Sequence, residues 1–145
     1  MERPDQKAEA YRLEEQVGHL LRRAHQRATA IFQATVGDPQ LTPTQFAALM
    51  KLHDEGELSQ NHLGRLTAMD PATIQGVCRR LTEHGFVETR PDPGDRRRSL
   101  LRLTAAGAAL IDGMIVDGRA VTEKTLEPLT AEERRTFLAL LQRLT

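Results

Sequence analysis

Ser59-Gln60-Asn61-His62-Leu63-Gly64-Arg65-Leu66-Thr67-Ala68-Met69-Asp70-Pro71-Ala72-Thr73-Ile74-Gln75-Gly76-Val77-Cys78-Arg79-Arg80-Leu81 is the stretch on which the fold turns. Ser59 offers a hydroxyl to the free amides of a first helical turn, and Leu63 and Leu66 give the short segment 60–68 an apolar side. Met69-Asp70 interrupts it. Asp70-Pro71 then supplies a carboxylate cap and a proline at the first helical position, opening a helix over residues 72–84. Ile74, Val77, Cys78 and Leu81 fall on one stripe of that helix at the 3.6-residue period. A short helix, a brief turn and a second helix form a helix-turn-helix, whose second helix has the size to enter the roughly 12 Å major groove of DNA.

The punctuation continues on both sides. Gly85 suits a helix C-terminal cap, and two short strands, 86–90 and 100–103, flank a Pro/Gly/Asp turn at 91–95. That hairpin is a wing. Upstream, Thr42-Pro43-Thr44-Gln45 opens a helix to about residue 52; downstream, Thr104 opens one to about 126, and Thr130-Ala131-Glu132-Glu133 has capping-box spacing before a last helix ending near 144. At the N-terminal end, Leu13, Val17, Leu20, Leu21, Ala24, Ala28 and Ile31 share one face of a helix expected over 7–35. A helix of that length projects beyond one small core and packs against something else. The expected class is mainly α with a small β-hairpin wing, a winged helix-turn-helix between N- and C-terminal helices.

A chain of 145 residues, 39% hydrophobic and 28% charged, fits one soluble domain. It has no apolar run of the roughly 18 residues a membrane span needs, and its start is too charged for a signal peptide, so a cytoplasmic location is expected. With Cys78 the only cysteine, an internal disulfide or Cys-rich zinc site is excluded, and its place on the apolar stripe reads as packing rather than a reactive thiol. His19, His25, His53, His62 and His84 show no metal-ligand spacing, so no metal is expected. No nucleophile motif, phosphate loop or paired-carboxylate site is present, which argues against an enzyme and a cofactor. The 20 basic and 20 acidic residues balance, but residues 59–104 hold eight basic against five acidic. A basic middle between acidic ends suits a polyanion-binding module. Arg96, Arg97 and Arg98 read either as a cationic tip for phosphates or the minor groove, or as a solvated charge run; their place behind a helix-turn-helix favours the first.

Ser59 to Leu66, Asp70-Pro71-Ala72-Thr73, Asp92-Pro93-Gly94-Asp95-Arg96-Arg97-Arg98 and Leu101-Arg102-Leu103-Thr104-Ala105-Ala106-Gly107 together resemble the MarR (multiple antibiotic resistance regulator) family of winged-helix transcription factors. The resemblance spans essentially the whole chain, and its last stretch is similar to the family's wing signature, Asp-x-Arg followed by a strand and Leu-Thr-x-x-Gly. It implies one domain over 1–145, divided as dimerisation helix 1–38, winged helix-turn-helix 39–104 and C-terminal dimerisation helices 105–145. It further implies a homodimer that reads a pseudo-palindromic double-stranded DNA operator, with the apolar face around Leu138, Leu141 and Leu144 as interface.

For base edges the exposed start of the second helix supplies Ala72 and Thr73 for thymine methyls, Gln75 for adenine and Arg79 for guanine or phosphate. Ser59, Gln60, Asn61 and Thr44 are phosphate-positioning candidates at helix starts. In the family pattern Asp95 holds Arg97, leaving Arg96 and Arg98 for the minor groove, Arg96 first.

The run Leu20-Leu21-Arg22-Arg23-Ala24-His25-Gln26-Arg27 resembles a family branch that controls catabolism of aromatic or N-heteroaromatic acids. That resemblance implies Arg22 as anchor of a ligand carboxylate, with His19, His25 and Arg23 as neighbours; an arginine fork matches a carboxylate in two parallel hydrogen bonds. The same arginines also read as a solvated face. The leading reading is a repressor released from its operator by a small aromatic acid. The rivals are a MarR-type regulator without a small ligand and a winged-helix protein-interaction module.

Overall fold

The computed structural model describes residues 10–145. Its helices are α1 (Val17–Val36), α2 (Pro43–Glu55), α3 (Gln60–Leu66), α4 (Pro71–Glu83), α5 (Ala105–Thr125) and α6 (Ala131–Gln142). Its strands are β1 (Glu57–Ser59), β2 (Val87–Asp92) and β3 (Asp95–Leu103), forming an antiparallel sheet in the order β1-β3-β2.

All five expected helix starts are capped as their residue types dictate. Thr42 and Thr130 each close a capping box, with Gln45 and Glu133 answering from the third position. Ser59, Asp70 and Thr104 accept backbone hydrogen bonds from His62, Thr73 and Gly107. Gly85, at φ 77°, takes the left-handed conformation that ends α4 and lets the Phe86 amide reach the Leu81 carbonyl.

The core lies in the winged module. Leu49, Leu52, Leu63, Ile74, Leu81 and Ile111, from α2, α3, α4 and α5, are sealed from solvent, and Leu58, Val87 and Leu101 close it from the sheet. From α1 only Phe32 is fully buried, edge-to-face with Phe46 at 6.1 Å. Helix α6 buries no residue, and Leu20, Leu21, Phe137, Leu138, Leu140 and Leu144 remain exposed.

Three expectations are corrected. The first helix begins at Val17, because Leu13–Glu15 form a single 3-10 turn and Gln16 is extended at φ −83°, ψ 134°. Neither Arg12 nor Gln16 makes a side-chain cap, and Leu13 is about half exposed, so little burial holds a regular turn there. Residues 7–9 of the expected helix lie outside the described residues. The hairpin is longer than expected, since β2 and β3 run to Asp92 and Asp95 and leave a two-residue Pro93-Gly94 turn. Third, Glu57–Ser59 is a strand, held by pairing with Leu100–Arg102 far along the chain.

Candidate functional site

Helix α4 presents two unlike sides. Ile74, Val77, Cys78 and Leu81 are buried, whereas Ala72, Thr73, Gln75 and Arg79 are exposed on the opposite face. The helix is fixed at its start by Asp70, whose Oδ1 accepts from the Thr73 amide at 2.8 Å. That backbone hydrogen bond holds the Asp70 carboxyl below the ordinary carboxylate range, so the cap is ionised at neutral pH. Arg79 lies 4.0 Å from Glu83, with both side chains about two-thirds exposed, and so stays available to another partner. Burial pushes the Cys78 thiol up to about 11, which leaves it protonated and unreactive.

The wing, β2 and β3, follows α4 in the chain, and β2 packs on that helix. Asp92 shapes its tip by accepting from the Gly94 amide at 2.9 Å and pairing with the Arg98 guanidinium at 3.4 Å. Asp95 accepts from the backbone amide of Arg97 at 3.0 Å. Asp95 thus holds Arg97 by its backbone two residues on, as in an Asx turn, and the guanidinium that a carboxylate holds is that of Arg98. Arg96 and Arg97 are exposed.

Ser59, Gln60, Asn61, Arg98 and Ser99 meet in one cleft of about 250 Å³ between the start of α3 and the wing. Four of the expected DNA-facing residues therefore share a concave surface with amide, hydroxyl and guanidinium groups. The Ser59 hydroxyl is engaged with the His62 amide at 3.3 Å, and Thr44 is exposed with its hydroxyl 3.1 Å from that of Thr42.

Arg22, Arg23 and His25 are exposed on α1 and His19 is half-buried. A cavity of about 430 Å³ lies between α2 of the winged module and α5, lined by Phe46, Met50, Ile115, Gly118, Arg119 and Thr122 among others. None of the four α1 residues lines it. A side chain at Gly118 would place its Cβ 2.9 Å from the Phe46 ring, so the missing side chain is what lets the ring approach α5. A second, more apolar cavity of about 420 Å³ lies among α1, the α5–α6 connection and α6, and His25 lines it. Arg27 lines it too, while donating to the carbonyls of Lys124 and Thr125, where it caps the end of α5.

Arg119 is the cation that sequence reasoning missed. Its signal was available: a glycine inside a helix costs about 1 kcal/mol against alanine and marks a close approach, and Gly118 adjoins it.

A profile described as MarR family matches residues 40–98. The HTH-type transcriptional repressor NicR of Pseudomonas putida is 49% identical over 134 residues, which cover 92% of this chain and 85% of NicR. The chain belongs to the MarR family. Its fold superposes on Bordetella bronchiseptica BpsR with a TM-score of 0.89 at 41% identity, covering 94% and 97% of the two chains. The DNA binding of BpsR is regulated by 6-hydroxynicotinic acid. Streptomyces coelicolor PcaV, solved with its natural ligand, gives 0.87 at 34% identity over 94% and 96%. This MarR-family protein is thus a winged-helix transcriptional regulator and not an enzyme. No described helix is long and apolar enough to cross a membrane.

Proposed function

We propose that the chain is a homodimeric repressor in the cytoplasm that binds a pseudo-palindromic operator and is released by a small aromatic or N-heteroaromatic acid, in control of a catabolic operon. The observation that carries the DNA half is the bare face of α4, Ala72, Thr73, Gln75 and Arg79, on the helix that leads into the arginine-tipped wing. Gln75 offers the amide that pairs with adenine, and Arg79 the fork for guanine or phosphate. Ser59, Gln60 and Asn61 fix the backbone without reading sequence, and the arginines at 96, 97 and 98 meet phosphates or the minor groove.

The likeness to NicR and BpsR supports the acid half. The four α1 residues, Arg22 as anchor with His19, His25 and Arg23, and the α2–α5 cavity with Arg119 each offer a carboxylate a cation. The cavity joins the reading module to α5, so an acid held there biases the angle between them. Release requires the acid to discriminate between the two geometries by several kcal/mol.

Fluorescence anisotropy tests both halves on a duplex of about 30 base pairs selected from a random library, long enough for two half-sites one turn apart. Binding that weakens steeply with potassium chloride is expected, as counterions leave the phosphates. Nicotinate, 6-hydroxynicotinate and benzoate are then titrated to millimolar concentration, and at least one is expected to release the DNA. Binding that no acid reverses would leave a regulator without a small ligand, and no duplex binding would leave a protein-interaction module.

A further inference from the structure

The sheet carries a charge network that neither base reading nor ligand capture uses. Register places Glu57 of β1 opposite Arg102 of β3, and Arg102 opposite Glu88 of β2, so the three form one row across the strands. Arg90, two residues beyond Glu88 on the same face, completes the set. Its guanidinium grips both Glu57 oxygens, the Nε donating at 2.8 Å. Arg102 lies 3.6 Å from Glu57 and donates to Glu88 at 2.8 Å. The Arg90 hydrogen bonds and the positive charges of Arg90 and Arg102 hold the Glu57 carboxyl below the ordinary range, so it is ionised at neutral pH.

The place of this network matters more than its strength. β1 pairs with β3 only at Leu100–Arg102, although β3 begins at Asp95. The outer half of the hairpin, with all three wing arginines, therefore extends past the last supporting strand. β1 also ends at Ser59, the cap of α3, which packs on α4. Glu57 thus adds, beside the backbone pairing of β1 with β3, a side-chain tie between the base of the wing and the strand that leads into the helix-turn-helix. A bidentate arginine–carboxylate pair within a network is the kind of surface ion pair that fixes geometry.

We propose that Glu57 is a positioning residue for DNA binding, locking the wing at the angle where Arg96 and its neighbours and the exposed face of α4 meet one duplex together. The proposal rests on the reading of the wing as a phosphate or minor-groove contact.

The sign of one substitution separates it from bulk electrostatics. Glu57→Gln removes a negative charge from the DNA-binding module, so charge alone makes binding tighter. Positioning makes it weaker. On the duplex selected with wild-type protein, Glu57→Gln is expected to lose about tenfold in affinity and to show a shallower salt dependence, because fewer phosphates are engaged. In an Arg96→Ala background the same change is expected to cost less than about twofold, since coupled residues are not additive. Equal or tighter binding by Glu57→Gln, or a full tenfold further loss on top of Arg96→Ala, overturns the proposal. If Arg96→Ala itself leaves binding unchanged, the wing reading fails instead. Far-UV circular dichroism checks folding, and should Glu57→Gln not fold, Arg90→Gln breaks the same pair from the other strand and its coupling to Arg96→Ala is read in the same way.

Discussion

Gly107 shows how one residue ties the family signature to a physical need. Thr104 caps α5 and its hydroxyl also donates to the Gly85 carbonyl at 2.6 Å, which draws the first turn of α5 against the start of β2. A Cβ on Gly107 would stand 2.0 Å from the Phe86 carbonyl oxygen, a backbone atom that cannot swing away. Helix propensity alone favours alanine there by about 1 kcal/mol, but the overlap is the larger effect. Gly107→Ala is expected to cost about 3 kcal/mol or more in urea unfolding, and a stabilised variant would contradict this reading. Leu-Thr-x-x-Gly was legible as a pattern, whereas the reason for its glycine was not, because Phe86 is distant in sequence.

At the scale of elements, local chemistry was legible and long-range pairing was not. Each of the five helix starts was readable because a cap and its partner lie within three residues. The strand Glu57–Ser59 was unreadable because its partners stand at 100–102, and α1 was over-extended because apolar spacing continues through a turn that the backbone breaks at Gln16. Gly118 beside Arg119 signalled a close approach, but its partner Phe46 was not legible, since only packing of α2 on α5 brings the two together. The caps carry a pH signature. The folded pKa of Asp70 is depressed, so its stabilisation is present above the ordinary value of 3.8 and is lost as pH falls below it through the folded value. Asn at this position keeps an acceptor without titrating. Melting temperatures measured from neutral to strongly acidic pH should therefore fall less for Asp70→Asn than for wild type; parallel curves would remove Asp70 from the acid response.

For the whole molecule, the decisive feature is an apolar surface with no partner among the described residues. Val17 and Leu144 are 65% and 69% exposed, and Leu20, Leu21, Phe137, Leu138 and Leu140 are between 39% and 52% exposed. A contiguous apolar surface of this kind is the mark of an association face. In a homodimer it places two winged modules on one scaffold, as reading two half-sites requires. Leu138→Asp is expected to give monomers in sedimentation velocity at micromolar concentration, with the winged core still folded and operator affinity lost. A variant that stays dimeric would place the interface elsewhere. The central claim remains that α4 reads bases. Its most direct test is the binding of wild type and Gln75→Ala to a library of all single-base changes in the selected operator. The account predicts that Gln75→Ala loses discrimination at one base pair in each half-site, placed symmetrically about the centre, and keeps it everywhere else. A loss spread evenly over every position, or none, would contradict it.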